Sequence, residues 1–109
     1  MKASQFEYSA PTTVGEAVGL IAEKGPDGKI LAGGQSLVPL LNFRLARPLS
    51  LIDINGVDEL NYVNVNGGVA IGGLTRLTTL EELSSTDGLM AKALPHVGHR
   101  AIRIRGTIV

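Results

Sequence analysis

The sequence predicts an α+β fold, with a small parallel β-α-β subdomain over residues 1–56 and the start of a second α+β subdomain over residues 57–109. Short apolar strands alternate with an amphipathic helix in the first part, which is typical of a parallel sheet. In the second part, Asn66-Gly67-Gly68 separates two β-prone runs and predicts an antiparallel hairpin. The fourteen glycines, about twice the usual share, indicate tight turns or close backbone approaches.

The composition excludes several classes of protein. With 44% hydrophobic and 18% charged residues, the chain is predicted to fold. No apolar run approaches the roughly 20 residues of a membrane helix, and the first residues do not resemble a signal peptide, so we expect a cytoplasmic protein without a transmembrane segment. The absence of cysteine excludes disulfides and cysteine-ligated iron–sulfur clusters on this chain. Aromatic residues, at 4%, are too few for a platform that stacks nucleic acid bases.

Capping and periodicity predict the elements of the first subdomain. A strand at residues 6–8 precedes a helix with Thr13 as N-cap and Glu16 completing a capping box. We expect this helix to pack on the sheet through Val14, Ala17, Val18 and Ile21. A turn at residues 25–28 leads into a buried strand at residues 29–32, and a further strand at residues 49–54 ends at Asn55-Gly56.

The second subdomain is predicted to begin with the hairpin, formed by residues 61–65 and 69–72. Thr79 is the predicted N-cap of a short helix that ends near Ser84. Another short helix is expected over residues 87–94, where Pro95 stops it.

The strongest candidate for a binding site is the stretch of residues 30–37. It is a strand, a two-glycine turn at Gly33 and Gly34, and the start of a helix with Ser36 as predicted N-cap. Backbone N–H groups and the helix dipole favour an anion there, such as a diphosphate against residues 32–36. The alternative is a tight turn that only needs positive φ angles. The stretch is neither a P-loop nor a Rossmann fingerprint, because the spacing of both motifs is absent.

Other groups of polar residues are weaker candidates. His96 and His99 have no neighbouring carboxylate with which to complete a metal site, so we expect no metal. Asp53 is interpreted as a turn cap, and Glu81 and Glu82 as acids of a first helical turn. Residues 91–109 have a net charge of +4, from Lys92, Arg100, Arg103 and Arg105. These arginines form either a contact for phosphate or an acidic partner, or a solvated face, which is the simpler interpretation.

Motifs along the whole chain resemble those of the FAD-binding medium subunits of molybdenum hydroxylases, most closely the aerobic carbon monoxide dehydrogenase type within the xanthine dehydrogenase family. They are Ile30-Leu31-Ala32-Gly33-Gly34-Gln35-Ser36-Leu37, Asn42-Phe43-Arg44-Leu45, Leu51-Ile52-Asp53-Ile54, Ile71-Gly72-Gly73-Leu74-Thr75-Arg76, and the stretch from His96 to Ile108.

The resemblance implies a two-subdomain PCMH-type FAD-binding fold and an oxidoreductase subunit without catalytic residues of its own. It implies that residues 30–37 wrap the FAD diphosphate, that Val97 lines the flavin, and that Thr107 and Ile108 open a second phosphate segment. It further implies a small subunit with 2Fe–2S clusters and a large subunit with the molybdenum cofactor. Electrons would pass through FAD to an external acceptor such as a quinone, NAD or oxygen.

The sequence departs from the family pattern at its end. Val109 stands where the family has a glycine, and Ile104 replaces an asparagine. We therefore interpret the chain as an N-terminal fragment that is inactive alone, binds FAD weakly and self-associates through an unfinished sheet.

Two alternatives to the interpretation as an FAD-binding subunit stay open. The first is a non-catalytic remnant, an interaction module without stable FAD. The second is another enzyme of the same flavin fold, such as a peptidoglycan-precursor reductase, against which the match beyond residue 50 argues. The substrate and the electron acceptor are not predicted.

Overall fold

A three-stranded parallel sheet forms the centre of the computed structural model, which describes residues 1–83 and 88–109. The elements in chain order are β1 at Glu7–Ser9, α1 at Val14–Lys24, β2 at Gly28–Leu31, α2 at Leu37–Asn42 and β3 at Ser50–Asp53. Strand β3 lies between β1 and β2 and pairs with both in parallel. The predicted β-α-β unit is therefore present, with a third strand inserted between its first two.

Helix α1 begins as predicted but buries a different face. The side-chain oxygen of Thr13 accepts a 3.1 Å hydrogen bond from the backbone N–H of Glu16, which confirms the N-cap. Val14, Ala17 and Leu20 turn towards the core, whereas Val18 is 58% exposed and Ile21 38%. The prediction for Val18 and Ile21 was wrong because α1 packs against β2 and β3 through the row spaced by three residues.

Strand β2 lies at an edge of the sheet, so the prediction that it is buried was wrong. Ile30 is 44% exposed, although its partner in the sheet, Ile52, is 1% exposed. Paired residues of neighbouring strands share one face. The difference therefore comes from position, because Ile52 lies on the central strand and Ile30 has a neighbour on one side only.

The prediction of Ser36 as an N-cap was also wrong. Ser36 has helical backbone angles, and its side chain makes no capping hydrogen bond. Instead the carbonyl of Gly34 accepts a 2.9 Å hydrogen bond from the N–H of Val38. Helix α2 has only six residues, so its dipole contributes little to the turn before it.

One apolar cluster joins the two halves of the chain. Its buried members are Ala17, Ala32, Ile52, Ile54, Val57 and Leu74. Ile52 and Val57 are fully buried, and each such side chain stabilises the fold by about 1.5–3 kcal/mol. Leu74 lies beyond residue 56, so the sheet and the second half of the chain pack against each other.

Residues 57–83 and 88–109, the described part of the second half, contain the predicted hairpin and three short α-helices. Strand β4 at Val63–Asn64 pairs antiparallel with β5 at Ala70–Ile71, and Gly67 has a φ of 70° in the turn. Helix α3 spans Leu77–Leu83, α4 Leu89–Ala93 and α5 Arg100–Arg105. The predicted helix end at Ser84 and helix start at Asp87 lie outside the described residues.

Thr79 lies inside helix α3, so its prediction as an N-cap was wrong. The helix begins two residues earlier, at Leu77, whose N–H donates a 2.9 Å hydrogen bond to the carbonyl of Gly106. A carbonyl far along the chain therefore satisfies a donor at the start of the helix. In the part of the chain that the structure describes, no helix is both long and apolar enough to cross a membrane.

Candidate functional site

A cleft of about 520 Å³ lies between the turn after β2 and the segment that follows α5. It brings together ten of the eleven residues predicted to bind a cofactor, which come from distant parts of the chain. They are Ile30, Ala32, Gly33, Gly34, Gln35, Ser36, Leu37, Val97, Thr107 and Ile108. Leu77, Ile102, Gly106 and Val109 complete the lining, and sequence analysis did not name Leu77, Ile102 or Gly106 for this site.

Leu31 does not line the cleft. Its side chain packs against the turn instead, since Cδ1 of Leu31 would lie 3.3 Å from a Cβ at Gly34. The carbonyl of Leu31 accepts a 3.0 Å hydrogen bond from the N–H of Ile54. The role of Leu31 is therefore to hold β2 against the end of β3.

Gly33 is the point at which the two sides of the cleft meet. Its N–H donates a 3.2 Å hydrogen bond to the side-chain oxygen of Thr107. A Cβ at Gly33 would lie 2.8 Å from both the carbonyl oxygen of Arg105 and the backbone nitrogen of Thr107. Only glycine permits this approach, and the N–H that was expected to face an anion is already used within the protein.

The next three residues offer free backbone donors. Gly34 has a φ of 78°, so the alternative prediction of a turn with positive φ is confirmed. Among the described residues, no acceptor takes a hydrogen bond from the N–H of Gly34, Gln35 or Ser36. Successive N–H groups in such a turn form a concave site that favours an anion. The tight turn is therefore compatible with the predicted anion site in the same stretch, and the anion site stays a prediction.

The segment that follows α5 runs along residues 73–76. The N–H of Ile108 donates to the carbonyl of Thr75 at 3.3 Å, and that of Val109 to the carbonyl of Gly73 at 3.1 Å. The hydroxyl of Thr107 donates a 2.7 Å hydrogen bond to the carbonyl of Val109. Among the described residues, Arg44 alone has a positive φ without being glycine, so Val109 does not take the left-handed backbone of a glycine.

Arg103 is buried, so the interpretation of this arginine as part of a solvated face was wrong. It is 7% exposed, and its Nε donates a 2.9 Å hydrogen bond to Oε2 of Glu81. One terminal nitrogen also donates to the carbonyls of Pro95 at 3.2 Å and Gly98 at 3.0 Å. Arg103 therefore fixes the turn that carries Val97 into the cleft.

The partners of Arg103 were not visible in the sequence. Glu81, predicted to act as a first-turn acid, is instead the ion-pair partner of Arg103. Only the packing of α3 against α5 brings the two residues together. Arg100 and Arg105 are exposed, as a solvated face requires.

Asp53 caps the turn after β3, as predicted. Its Oδ1 accepts hydrogen bonds from the backbone N–H of Asn55 at 3.0 Å and from the side-chain amide at 2.7 Å. Its Oδ2 accepts a 2.5 Å hydrogen bond from the hydroxyl of Tyr8. Burial acts to raise the pKa of Asp53, but the hydrogen bonds from Tyr8 and Asn55 and the charge of Arg105 outweigh it and lower the pKa. The hydrogen bond from the Tyr8 hydroxyl to Asp53 raises the pKa of Tyr8, and burial and the Asp53 charge add smaller effects in the same direction.

The two histidines, His96 and His99, are exposed. His99 precedes α5, and its carbonyl accepts hydrogen bonds from the N–H groups of Ile102 and Arg103. Within residues 1–83 and 88–109, no group of three or more His, Cys, Asp or Glu side chains could hold a metal ion.

A second, apolar groove lies on the other half of the molecule. It has a volume of about 520 Å³ and is lined by Val63, Val65, Val69, Ile71, Leu80, Leu83 and Met90. Val65 and Val69, at the hairpin, are 70% and 69% exposed. The predicted self-association through an apolar surface stays a prediction.

Comparison with known proteins identifies the class to which this fold and cleft belong. Residues 4–109 match the family model of the FAD binding domain in molybdopterin dehydrogenase. The chain belongs to this family.

Individual relatives match nearly the whole length of this chain in sequence. The chain is 43% identical to the caffeine dehydrogenase subunit beta of Pseudomonas sp. (strain CBB1), over 99% of this chain and 38% of the relative. It is 42% identical to the carbon monoxide dehydrogenase medium chain of Hydrogenophaga pseudoflava, over 95% of this chain and 38% of the relative.

A solved structure of carbon monoxide dehydrogenase from Hydrogenophaga pseudoflava superposes with a TM-score of 0.92 at 40% identity. The match covers 98% of this chain and 39% of that one. The chain thus spans well under half the length of the relatives it matches.

Proposed function

We propose that this chain is the FAD-binding part of a medium subunit of a molybdenum hydroxylase of the carbon monoxide dehydrogenase type. We propose further that the cleft holds the FAD diphosphate. The observation that carries this proposal is the run of N–H groups at Gly34, Gln35 and Ser36, for which the described part of the chain provides no acceptor. A diphosphate is an anion with several acceptor oxygens, and hydrogen bonds to charged acceptors are about twice as strong as those to neutral ones.

The apolar lining of the cleft fits the flavin ring. Ile30, Val97 and Ile108 are 44%, 44% and 47% exposed, although all three are large hydrophobic residues. A planar aromatic ring against these side chains would remove apolar surface from water, which is favourable by about 25 cal/mol per Å². When bound, FAD would supply a carrier that can take up electrons one at a time from iron–sulfur clusters and pass them on singly or in pairs.

Partner subunits are proposed to carry the other redox groups. These 109 residues contain no cysteine that could ligate an iron–sulfur cluster. The resemblance to the family implies 2Fe–2S clusters on a small partner subunit. The molybdenum cofactor belongs on a large partner subunit, and electrons leave FAD for an external acceptor such as a quinone, NAD or oxygen. The relatives act on molecules as different as caffeine and carbon monoxide, judged by their names, so the substrate is chosen outside this chain.

We also propose that the chain divides into two subdomains, residues 1–56 and residues 57–109. We propose a cytoplasmic location for the protein.

A second candidate function is a non-catalytic interaction module that retains the fold without stable FAD. The segment after α5 favours it, because the N–H groups of Ile108 and Val109 are both bonded to the carbonyls of Thr75 and Gly73. These two residues therefore offer no backbone donor to a phosphate group. On this account the turn at Gly34 is a structural feature inherited from a binding ancestor.

A titration of the ¹⁵N-labelled chain with FAD up to millimolar concentration distinguishes the two candidates. The subunit proposal predicts saturable amide shifts that centre on Gly34, Gln35 and Ser36 and extend to Val97. The Gly33→Val/Gly34→Val variant should lose them, whereas Gly19→Val should keep them because no atom lies within 4 Å of a Cβ at Gly19. If the double variant does not fold, Gly34→Ala replaces it. A folded wild-type chain without saturable shifts would overturn the proposal and favour the interaction module.

A further inference from the structure

The cleft has two walls, the turn after β2 at residues 32–36 and the segment after α5 at residues 106–109. The side chains of Asn55 and Arg76 connect these two walls. The side-chain amide of Asn55 donates a 2.8 Å hydrogen bond to the carbonyl of Ala32, the residue before Gly33. Its amide oxygen accepts a 2.7 Å hydrogen bond from Arg76. The other terminal nitrogen of Arg76 donates a 2.7 Å hydrogen bond to the carbonyl of Arg105, just before Gly106 and Thr107.

We infer that Asn55 and Arg76 form a polar bridge that sets the distance between the two walls of the FAD cleft, and that both are positioning residues for FAD. The inference rests on the proposed function only for its effect on FAD. The bridge itself is a property of the free protein and can be measured without a ligand.

The chemistry of each residue suits a bridge of this kind. An asparagine side chain carries both donors and an acceptor, so it can bond a carbonyl on one side and a guanidinium on the other. A guanidinium holds its donors in a planar fork, so Arg76 can reach Asn55 and Arg105 at once. Neither an aspartate at position 55 nor a lysine at position 76 can make both bonds in the same way.

The bridge is anchored from the sheet. Oδ1 of Asp53 accepts a 2.7 Å hydrogen bond from the side-chain amide of Asn55, and Tyr8 holds Asp53 from β1. Asn55 is therefore oriented before it contacts Arg76. On the far side, the hydrogen bond from Leu77 to Gly106 lies next to the contact of Arg76 with Arg105.

The simpler account is that Arg76 only caps helix α5, because cations often bond the last carbonyls of a helix. If Arg76 only caps α5, its loss should speed amide hydrogen exchange near α5 alone. If Arg76 is part of a bridge, its loss should also speed exchange at the end of β2, on the other wall. The two accounts therefore differ in what happens at Gly33 when Arg76 is changed.

Amide hydrogen exchange in the free chain tests the bridge, with Arg76→Met and Asn55→Asp as variants. Asn55→Asp keeps an acceptor for Arg76 but loses the donor to Ala32. Both variants should speed exchange of the Gly33 and Leu77 amides about tenfold, with exchange in α1 unchanged. The matched control is Arg100→Met, on the exposed side of α5, which should change neither amide.

FAD titration of the same variants tests the positioning role. Each should raise the Kd for FAD about tenfold, and the double variant should be no weaker than the weaker single one. Arg76→Lys should recover only part of the affinity, since one ammonium replaces a fork.

The possible outcomes separate the inference from the proposed function. Unchanged exchange at Gly33 in Arg76→Met would overturn the bridge, whatever FAD does. Faster exchange without a change in Kd would overturn the positioning role. Absence of FAD binding by the wild-type chain would overturn the proposed function and, with it, the positioning role. The exchange rate of the Gly33 amide in Arg76→Met would still show whether the bridge exists.

Discussion

The backbone N–H of Gly33 donates a hydrogen bond to the side-chain oxygen of Thr107, a residue 74 positions later in the chain. This contact joins the turn after β2 to the segment after α5 and closes one end of the cleft. It depends on glycine, because any side chain at position 33 would meet the backbone of residues 105–107. Directly beside it lie the N–H groups of Gly34, Gln35 and Ser36, which have no acceptor within residues 1–83 and 88–109.

Gly33→Ala should destabilise the protein by about 1–3 kcal/mol, because the new Cβ would lie 2.8 Å from backbone atoms that cannot move independently. Urea unfolding followed by circular dichroism measures the effect. Gly19→Ala is the matched control. Its Cβ would meet nothing within 4 Å on helix α1, so it should leave the free energy of unfolding unchanged or raise it by about 0.5–1 kcal/mol. Equal effects of the two substitutions would contradict the close approach at Gly33.

Thr107→Val should leave the buried N–H of Gly33 without an acceptor while keeping the shape of the side chain. The expected loss is about 1–3 kcal/mol in the free energy of unfolding. Thr107→Ser keeps the hydroxyl and should lose less than Thr107→Val. A valine variant as stable as the wild type would show that this hydrogen bond does not close the cleft.

Arg103→Met should destabilise the protein by about 3 kcal/mol, because it leaves Glu81 and the carbonyls of Pro95 and Gly98 without their donor. Removing both charges, in Arg103→Met/Glu81→Met, should recover a large part of the loss. Arg100→Met, at an exposed position, should change stability by no more than about 0.5 kcal/mol. A double variant no more stable than the single one would argue against the ion pair as the cause.

The contact between Tyr8 and Asp53 predicts a characteristic dependence of stability on pH. The pKa of Asp53 is lowered in the folded state, so its stabilising effect is complete above its unfolded pKa, near 4, and is lost as the pH falls through the lower folded pKa. The pKa of Tyr8 is raised, so its effect is complete below its unfolded pKa, near 10, and is lost as the pH rises through the folded value.

Unfolding of the wild type and Tyr8→Phe across this range measures the effect. The difference between them should be constant from about pH 5 to 9 and shrink at both ends. A difference that does not change with pH would mean that the two groups are not coupled.

Local sequence signals were sufficient for the elements whose contacts are local. The cap at Thr13 and the hairpin turn at Gly67 depend on residues within a few positions, and both were predicted correctly. Ten of the residues that line the cleft were predicted from the resemblance to a family. A family motif can mark the residues of a site even when they are far apart in the chain.

The errors come from contacts between distant parts of the chain. Thr79 looked like a helix start, but the carbonyl of Gly106 receives the first N–H of a helix that begins at Leu77. Arg103 looked like a solvated charge, because its partner Glu81 is 22 positions away. Ile30 looked buried, because an apolar strand does not reveal whether it lies at the centre or the edge of a sheet.

The measurement that tests the central claim most directly compares FAD binding by Ser36→Pro and Ser36→Ala. Proline removes the backbone N–H of residue 36 and alanine removes only the hydroxyl, so the pair isolates one of the donors assigned to the diphosphate. We predict that Ser36→Ala binds FAD within about twofold of the wild type, and that folded Ser36→Pro binds about tenfold or more weakly. Equal affinities for the two variants, or no saturable binding by the wild type, would contradict the account.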